Sequence, residues 1–206
     1  MNRGSFVKEY TVKYCSGSPS WENVPYLEVS ESPWFVTPGI SMRMQVLWNE
    51  YGLHVHQKAV EPNIRATFAS HLSHVCDDSC MEFFLAPENG DYRYFNFELN
   101  PNGALMLGFG TGRTDRIKLL PSDATSLFSI RTICGEGEWE TFYTIPLSFI
   151  RTFYPAFELS SGLSFRANAY KCGDKTDHVH YLAWNKMTSE KPDYHRYCDF
   201  GKMILS

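Results

Sequence analysis

The sequence predicts an all-β protein, an antiparallel two-sheet β-sandwich of jelly-roll or immunoglobulin-like type with about ten strands. Three observations predict it. Apolar and polar residues alternate with period 2 over most of the chain, as half-buried strands require. The alternating runs are short and are punctuated by Gly, Pro, Asn and Asp. Helical stretches long enough for crossovers are missing between the runs, so a parallel α/β sheet is not available.

The elements follow in order. Ser41 to Asn49 alternates Met42, Met44, Val46 and Trp48 against Arg43 and Gln45. The turn Asn49-Glu50-Tyr51-Gly52 then leads into Leu53-His54-Val55-His56, which reads as a β-hairpin. Asp78 to Leu85 is a strand bounded by Pro87 and the Asn89-Gly90-Asp91 turn. Tyr92 to Leu99 is the next, ended by Asn100-Pro101-Asn102-Gly103. Ala104 to Phe109, Arg116 to Leu119, Phe128 to Cys134 and Glu138 to Ile145 continue the pattern. Leu147 to Phe153 is the one helical turn, with Pro146 at its first position. Leu163 to Tyr170, His178 to Trp184 and Phe200 to Leu205 complete the strands. Residues 1–39 read as an irregular segment packed on a single domain spanning 1–206, and a Ser/Pro-rich stretch of that length is usually functional.

Composition narrows the function. The chain has 206 residues, 43% hydrophobic, 20% charged and 16% aromatic, which suits a core-forming domain and excludes a disordered chain or coiled coil. The net charge of −4 argues against nucleic acid and against an anionic membrane surface. No apolar run is long enough for a membrane-spanning helix. The oligomeric state is not legible. The six cysteines, Cys15, Cys76, Cys80, Cys134, Cys172 and Cys198, are too sparse for a disulfide scaffold, and Cys76 and Cys80 lack redox or zinc-ribbon spacing. They read as reduced or structural thiols. The first residues hold no signal-peptide core, so a cytoplasmic location is expected, with a periplasmic or extracellular one as the alternative if a leader has been removed.

Strand facing brings polar residues together. Met81, Phe83 and Leu85 share one face and Glu82 takes the other. Phe95, Phe97 and Leu99 lie opposite Tyr94, Asn96 and Glu98. Leu163, Phe165, Ala167 and Ala169 lie opposite Arg166, Asn168 and Tyr170. If these strands are neighbours, Glu82, Asn96, Glu98, Arg166 and Asn168 form one patch flanked by tyrosines. The plain reading is the wet face of an antiparallel sheet. The sharper reading is a sugar site, since hydroxyls need both donors and acceptors and the apolar face of a pyranose packs on aromatic rings.

The same residues resemble a known family. Asp77-Asp78-Ser79-Cys80-Met81-Glu82-Phe83-Phe84-Leu85 is similar to the Asp-Ser-x-x-Glu-x-Phe strand of the family 9 carbohydrate-binding modules. Tyr94-Phe95-Asn96-Phe97-Glu98-Leu99-Asn100, Phe165-Arg166-Ala167-Asn168-Ala169-Tyr170-Lys171, Trp184, Tyr194-His195 and Phe200-Gly201 follow in the family's order. The hairpin Val46 to Val55 resembles the family's Leu-Trp-Asp-Glu hairpin, so the likeness covers about residues 40 to 205 and is nearest the divergent, family 9-like bacterial group. It implies a β-sandwich that binds short or terminal sugars without cleaving them, in support of polysaccharide degradation. It assigns sugar contacts to Glu82, Asn96, Glu98 and Asn168, beside Arg166, with Trp184, Tyr194 and His195 as ring platforms. No cofactor is required. Family members carry calcium, for which Asp77, Asp78 and Asp91 could supply hard oxygens. One departure stands out. The family grips sugar between two Trp rings, where this chain has His74-Val75-Cys76 and Tyr194-His195, leaving Trp21 or Trp34 as candidates to fill the gap.

Other constellations compete. His54/His56 and His178/His180 have metal-binding alternation, but no third ligand is near in sequence and surface histidines explain them better. Gly108-Phe109-Gly110-Thr111-Gly112 is not followed by a helical pattern and reads as a glycine-rich β-turn. Glu82 and Glu98 could act as glycosidase acid and nucleophile at about 5 Å, but a neighbouring Arg166 would depress both pKa values, which favours binding over hydrolysis. Met81, Met106 and His195 suggest a haem grip by fold analogy alone, and a sandwich that has lost its sugar and kept a protein-interaction role is the remaining alternative.

Overall fold

The turn at residues 49–52 closes the longest hairpin, in which β3 (Ser41–Asn49) and β4 (Gly52–Val60) pair antiparallel from Ser41↔Val60 to Asn49↔Gly52. Gly52 is required there, because a Cβ would strike the Ile145 carbonyl of the strand alongside. This computed structural model describes residues 7–206. Among them lie two earlier strands, β1 (Glu9–Tyr14) and β2 (Leu27–Val29). Then follow β5 (Cys80–Ala86), β6 (Tyr94–Leu99), β7 (Leu105–Gly110), β8 (Ile117–Lys118), β9 (Arg131–Cys134) and β10 (Glu138–Pro146). The last are β11 (Ser164–Cys172), β12 (Tyr181–Ala183) and β13 (Gly201–Leu205). Helix α1 (Ala124–Leu127) precedes β9, and α2 (Leu147–Phe153) follows β10. Pro146 caps α2 rather than occupying its first turn. Phe128 ends α1 instead of starting a strand.

The strands form one curled, mixed sheet in the order β8-β7-β6-β5-β11-β13-β1-β3-β4-β10-β9, with β2 and β12 appended. The expected sheet is antiparallel throughout, and β1 breaks that rule. It pairs parallel with β13 through Glu9 to Val12 and parallel with β3 through Lys13 and Tyr14. The irregular N-terminal segment therefore holds the strand that joins the two limbs. Its six residues bury only Tyr10 and Val12. Its partners are remote in sequence, so no local hairpin signal announces it.

One apolar cluster lies between the limbs. Met81, Phe83, Leu85, Phe95, Phe97 and Leu99 meet Val46, Val55, Trp139, Tyr143 and Ile145 across it. Each fully buried Phe contributes on the order of 2 kcal/mol of transfer free energy. The opposite face of β5, β6 and β11 is not wet. Phe84, Tyr94, Tyr170, Tyr194 and Phe200 form a second cluster there, beneath the connections β4–β5 and β12–β13. Hydrogen bonds from Ser79 N to Arg65 O and from Asp174 N to Cys76 O tie this cover down. No helix among the described residues is long and apolar enough to cross a membrane.

Candidate functional site

The strand order places β6, β5 and β11 side by side, so the polar residues of three strands meet. Glu82 lies directly opposite Glu98 on one side and Tyr170 on the other. Asn96 and Asn168 both lie opposite Phe84. The covering segments leave one cavity of about 330 Å³ above this row, floored by Glu82, Glu98 and Cys172. Trp34, Tyr181 and Tyr194 line one side, and Arg113, Arg116 and His195 another. His74, Cys76, Asp174, Pro192 and Asp193 complete the rim.

The aromatic side is held rigidly. Tyr194 stacks on Tyr170 at 4.0 Å, and its hydroxyl donates to the Lys171 and Leu182 carbonyls. Trp34 lies 5.4 Å from both Tyr181 and Tyr194, and its Nε1 donates to the Ser189 carbonyl. Trp34 thus reaches the pocket, whereas Trp21 packs on His56 and Phe142 of the other limb.

The carboxyl pair is electrostatically unusual. Burial pushes Glu98 up to about 7 against the opposing pull of Arg116, whose Nη2 is 4.0 Å away, and of the Asn96 amide, which donates at 2.8 Å. Burial raises Glu82 well above the ordinary carboxylate range, reinforced by the charge of Glu98, and the Cys172 thiol donates to Glu82 Oε1 at 3.0 Å. The protonated form of Glu82 is favoured, and that form offers both a donor and an acceptor. Burial, with Arg116 and Arg113 close by, pushes His195 down to about 2. The imidazole stays neutral, accepting from Arg116 at Nε2 over 2.7 Å, with the Tyr94 hydroxyl 2.9 Å from Nδ1.

Arg116 is the important residue that sequence reading missed, and a signal for it existed. A Cβ at Gly108 would strike Asn96 and the Arg116 side chain, and one at Gly110 would meet the Arg116 backbone at 2.5 Å. Both glycines lie in β7 rather than in a turn. They are absent side chains that let the Arg116 segment lie across the strand. The ground given against hydrolysis also changes. Arg166 is remote from the acidic pair, Arg116 takes its place, and burial outweighs it.

The remaining predicted residues separate. Glu82, Glu98, Tyr194 and His195 line the cavity. Asn96 is fully buried beneath it and positions Glu98. Asn168 is also fully buried, accepting from Asn185 N at 2.9 Å and donating to the Asn185 and Asp199 carbonyls, so its polar atoms are spent on the covering segment. Arg166 donates to the Phe200 carbonyl and lies near the Tyr197 ring, outside the cavity. Trp184 belongs to the inter-limb core, pressed so closely on Gly201 that a Cβ there would lie 2.5 Å from its ring. Asn168 and Arg166 lie on the predicted strand, but the segment between β12 and β13 absorbs their polar groups.

The calcium set does not assemble. Asp78 is fully buried and accepts from Thr67, Phe68 and Asn100; these bonds outweigh burial and hold its carboxyl below the usual range. Asp91 pairs with Arg93 in its turn. Asp77 pairs with Lys175 and neighbours Cys76 and Asp174, a set whose thiol is foreign to calcium. The histidine pairs do not converge on metal either: His56 meets Gln45 and Glu140, and His180 meets Lys171. Met81 and Met106 lie in different apolar clusters, so no haem grip forms with His195.

A curled β-sheet with a small, aromatic-walled and carboxyl-floored pocket has the form of a small-ligand site. The chain belongs to carbohydrate-binding family 9, whose model matches residues 18–205. It is similar to a structure from Bacteroides uniformis ATCC 8492, whose carbohydrate-binding role is itself a proposal, at 26% identity and TM-score 0.82, covering 97% of this chain and 100% of that one. It shares its fold with a family 9 module from Caldicellulosiruptor kristjanssonii in complex with glucose, at 14% identity and TM-score 0.69, covering 97% and 96%. The same holds for that organism's module in complex with cellotriose, at 15% identity and TM-score 0.68, covering 97% and 94%. No curated protein matches the chain.

Proposed function

We propose that the protein binds the end of a glycan, taking a single terminal ring or a short oligosaccharide into this pocket without cleaving it, in support of polysaccharide breakdown. The observation that carries the reading is the Glu82–Glu98 floor under the Trp34–Tyr194 wall. A carboxyl shifted toward its protonated form, a second one near neutrality and a guanidinium supply the mixed donors and acceptors that sugar hydroxyls need. The rings supply a surface for an apolar pyranose face. A volume of about 330 Å³ is at the small end for ligand sites, which favours a chain end over an extended polymer. The glucose and cellotriose carried by the Caldicellulosiruptor structures agree with that size class. Two limbs facing across one core support the sandwich description of the curled sheet. The six free cysteines support a reducing, cytoplasmic setting over a periplasmic or extracellular one.

The test is calorimetric and fluorescence titration of wild type and Glu98→Gln with glucose, cellobiose and cellotriose. Saturable binding, weakened about 10-fold or more in Glu98→Gln, is expected if a charge-assisted hydrogen bond is lost. Silence across a glycan panel with folded protein would sink the reading in favour of a fold that has lost its sugar. Turnover of a chromogenic glycoside, abolished by Glu82→Gln, would replace binding with hydrolysis.

A further inference from the structure

The pocket floor contains two thiols that sugar binding does not use, beside Glu82. Cys80 and Glu82 are two residues apart on β5 and therefore share a face. Cys172 of β11 lies directly opposite Cys80. The three side chains form a compact triangle, with all three donor atoms within 4.8 Å of one another. Cys172 Sγ and Glu82 Oε1 are 3.0 Å apart. All three residues are buried, Cys80 completely and the others at 2% and 4% exposure.

We propose that Cys80, Glu82 and Cys172 form a binding site for a thiophilic divalent cation, zinc first among them. Zinc bonds of about 2.3 Å to sulfur and about 2.0 Å to oxygen put neighbouring donors of a tetrahedron roughly 3.5 Å apart, within the spread seen here. Two sulfurs and one carboxylate select zinc-class ions over magnesium or calcium, which prefer oxygen alone. Without metal the three groups hydrogen-bond chiefly to one another. The Cys80 thiol meets the Met81 carbonyl of its own strand at 4.0 Å and the Cys172 thiol across the strand pair. Binding exchanges the cation for the acidic protons of the cluster, two thiol and one carboxyl, which leave to solvent through the pocket. The resulting excess negative charge faces Arg116. Glu82 and Cys172 both line the cavity, so the fourth coordination position opens toward the space where a sugar hydroxyl or a water would lie. This site shares Glu82 with the sugar reading and otherwise stands independently of it.

The experiment uses the full chain, reduced and stripped with a chelator. Cadmium is titrated while the thiolate-to-metal charge-transfer band is followed, and zinc affinity is measured by competition with a chromophoric chelator. One equivalent of metal should bind, and Cys172→Ser should weaken it by more than about 100-fold, since even the outer partners of metal ligands are worth about 10–100-fold. Cys134→Ser, at an exposed thiol outside the pocket, should leave affinity unchanged. If Cys172→Ser does not fold, X-ray absorption of the wild-type zinc form decides, with two sulfur ligands expected. The proposal is overturned by absence of the band in folded, reduced wild type, by a band that survives Cys172→Ser, or by zinc with fewer than two sulfurs. Sugar titration of the stripped protein keeps the two readings apart. Sugar binding without a metal response removes only the metal site, and a metal response without sugar binding removes only the sugar reading.

Discussion

Two outer sheet faces of this molecule have the same alternation and opposite fates. On β5, β6 and β11, Glu82 and Glu98 are roofed by loops, lose water and are pushed toward their protonated forms. On β3, β4 and β10, Lys58 is 2.9 Å from Glu138 and 3.1 Å from Glu140, and His56 is 2.8 Å from Glu140. Burial pulls Glu140 upward, but the hydrogen bonds from His56 and Lys58 overcome it and leave its carboxyl below the ordinary value. The strand code is the same in both places. What differs is the cover: a roof of loops turns the first polar row into a pocket, whereas Trp21 covers His56 in the second and leaves Lys58, Glu138 and Glu140 partly exposed as a neutralised ion network.

The comparison breaks most dramatically if the roof is released. Asn168→Ala strands the buried polar groups of Asn185 and Asp199, so a stability loss of about 2–4 kcal/mol in urea denaturation is expected. A loss below about 0.5 kcal/mol, typical of an exposed position, would show that the roof is anchored elsewhere. Next in size is Trp34→Ala, which removes a pocket wall. Sugar affinity should fall by roughly 10-fold, the worth of one aromatic face, and an unchanged affinity would place the sugar off this wall.

The smallest effect sharpens the open face. Glu140 has a lowered folded pKa, so its contribution is present above the ordinary carboxylate pKa and is lost as pH falls through the lowered one. Glu140 is about a quarter exposed, so the contribution is discounted for screening to about 0.5 kcal/mol. Glu140→Gln should flatten that part of the acid limb in pH-dependent denaturation, whereas an unaltered slope would assign the limb to other carboxylates.

The facing of Met81, Glu82, Phe83, Phe95, Glu98 and Ala167 was legible, because a period of 2 sends successive side chains to opposite sides whatever the neighbours. Trp34 was legible only as one of two candidates, and Arg116 only as a pair of glycines without an evident purpose. β1 was not legible, since its pairing partners are at the far end of the chain and in β3.

The sequence by itself determined an all-β chain, its inward apolar rows and the acidic pair opposite them, since alternation and turn chemistry are local. Only the tertiary structure decided that β1 joins the limbs in parallel and that Asn168 and Trp184 serve the framework. It also decided that Glu82, Glu98 and Cys172 face a pocket sheltered by covering segments. Dielectric environment and long-range contact depend on which segments lie overhead, and strand periodicity does not encode that.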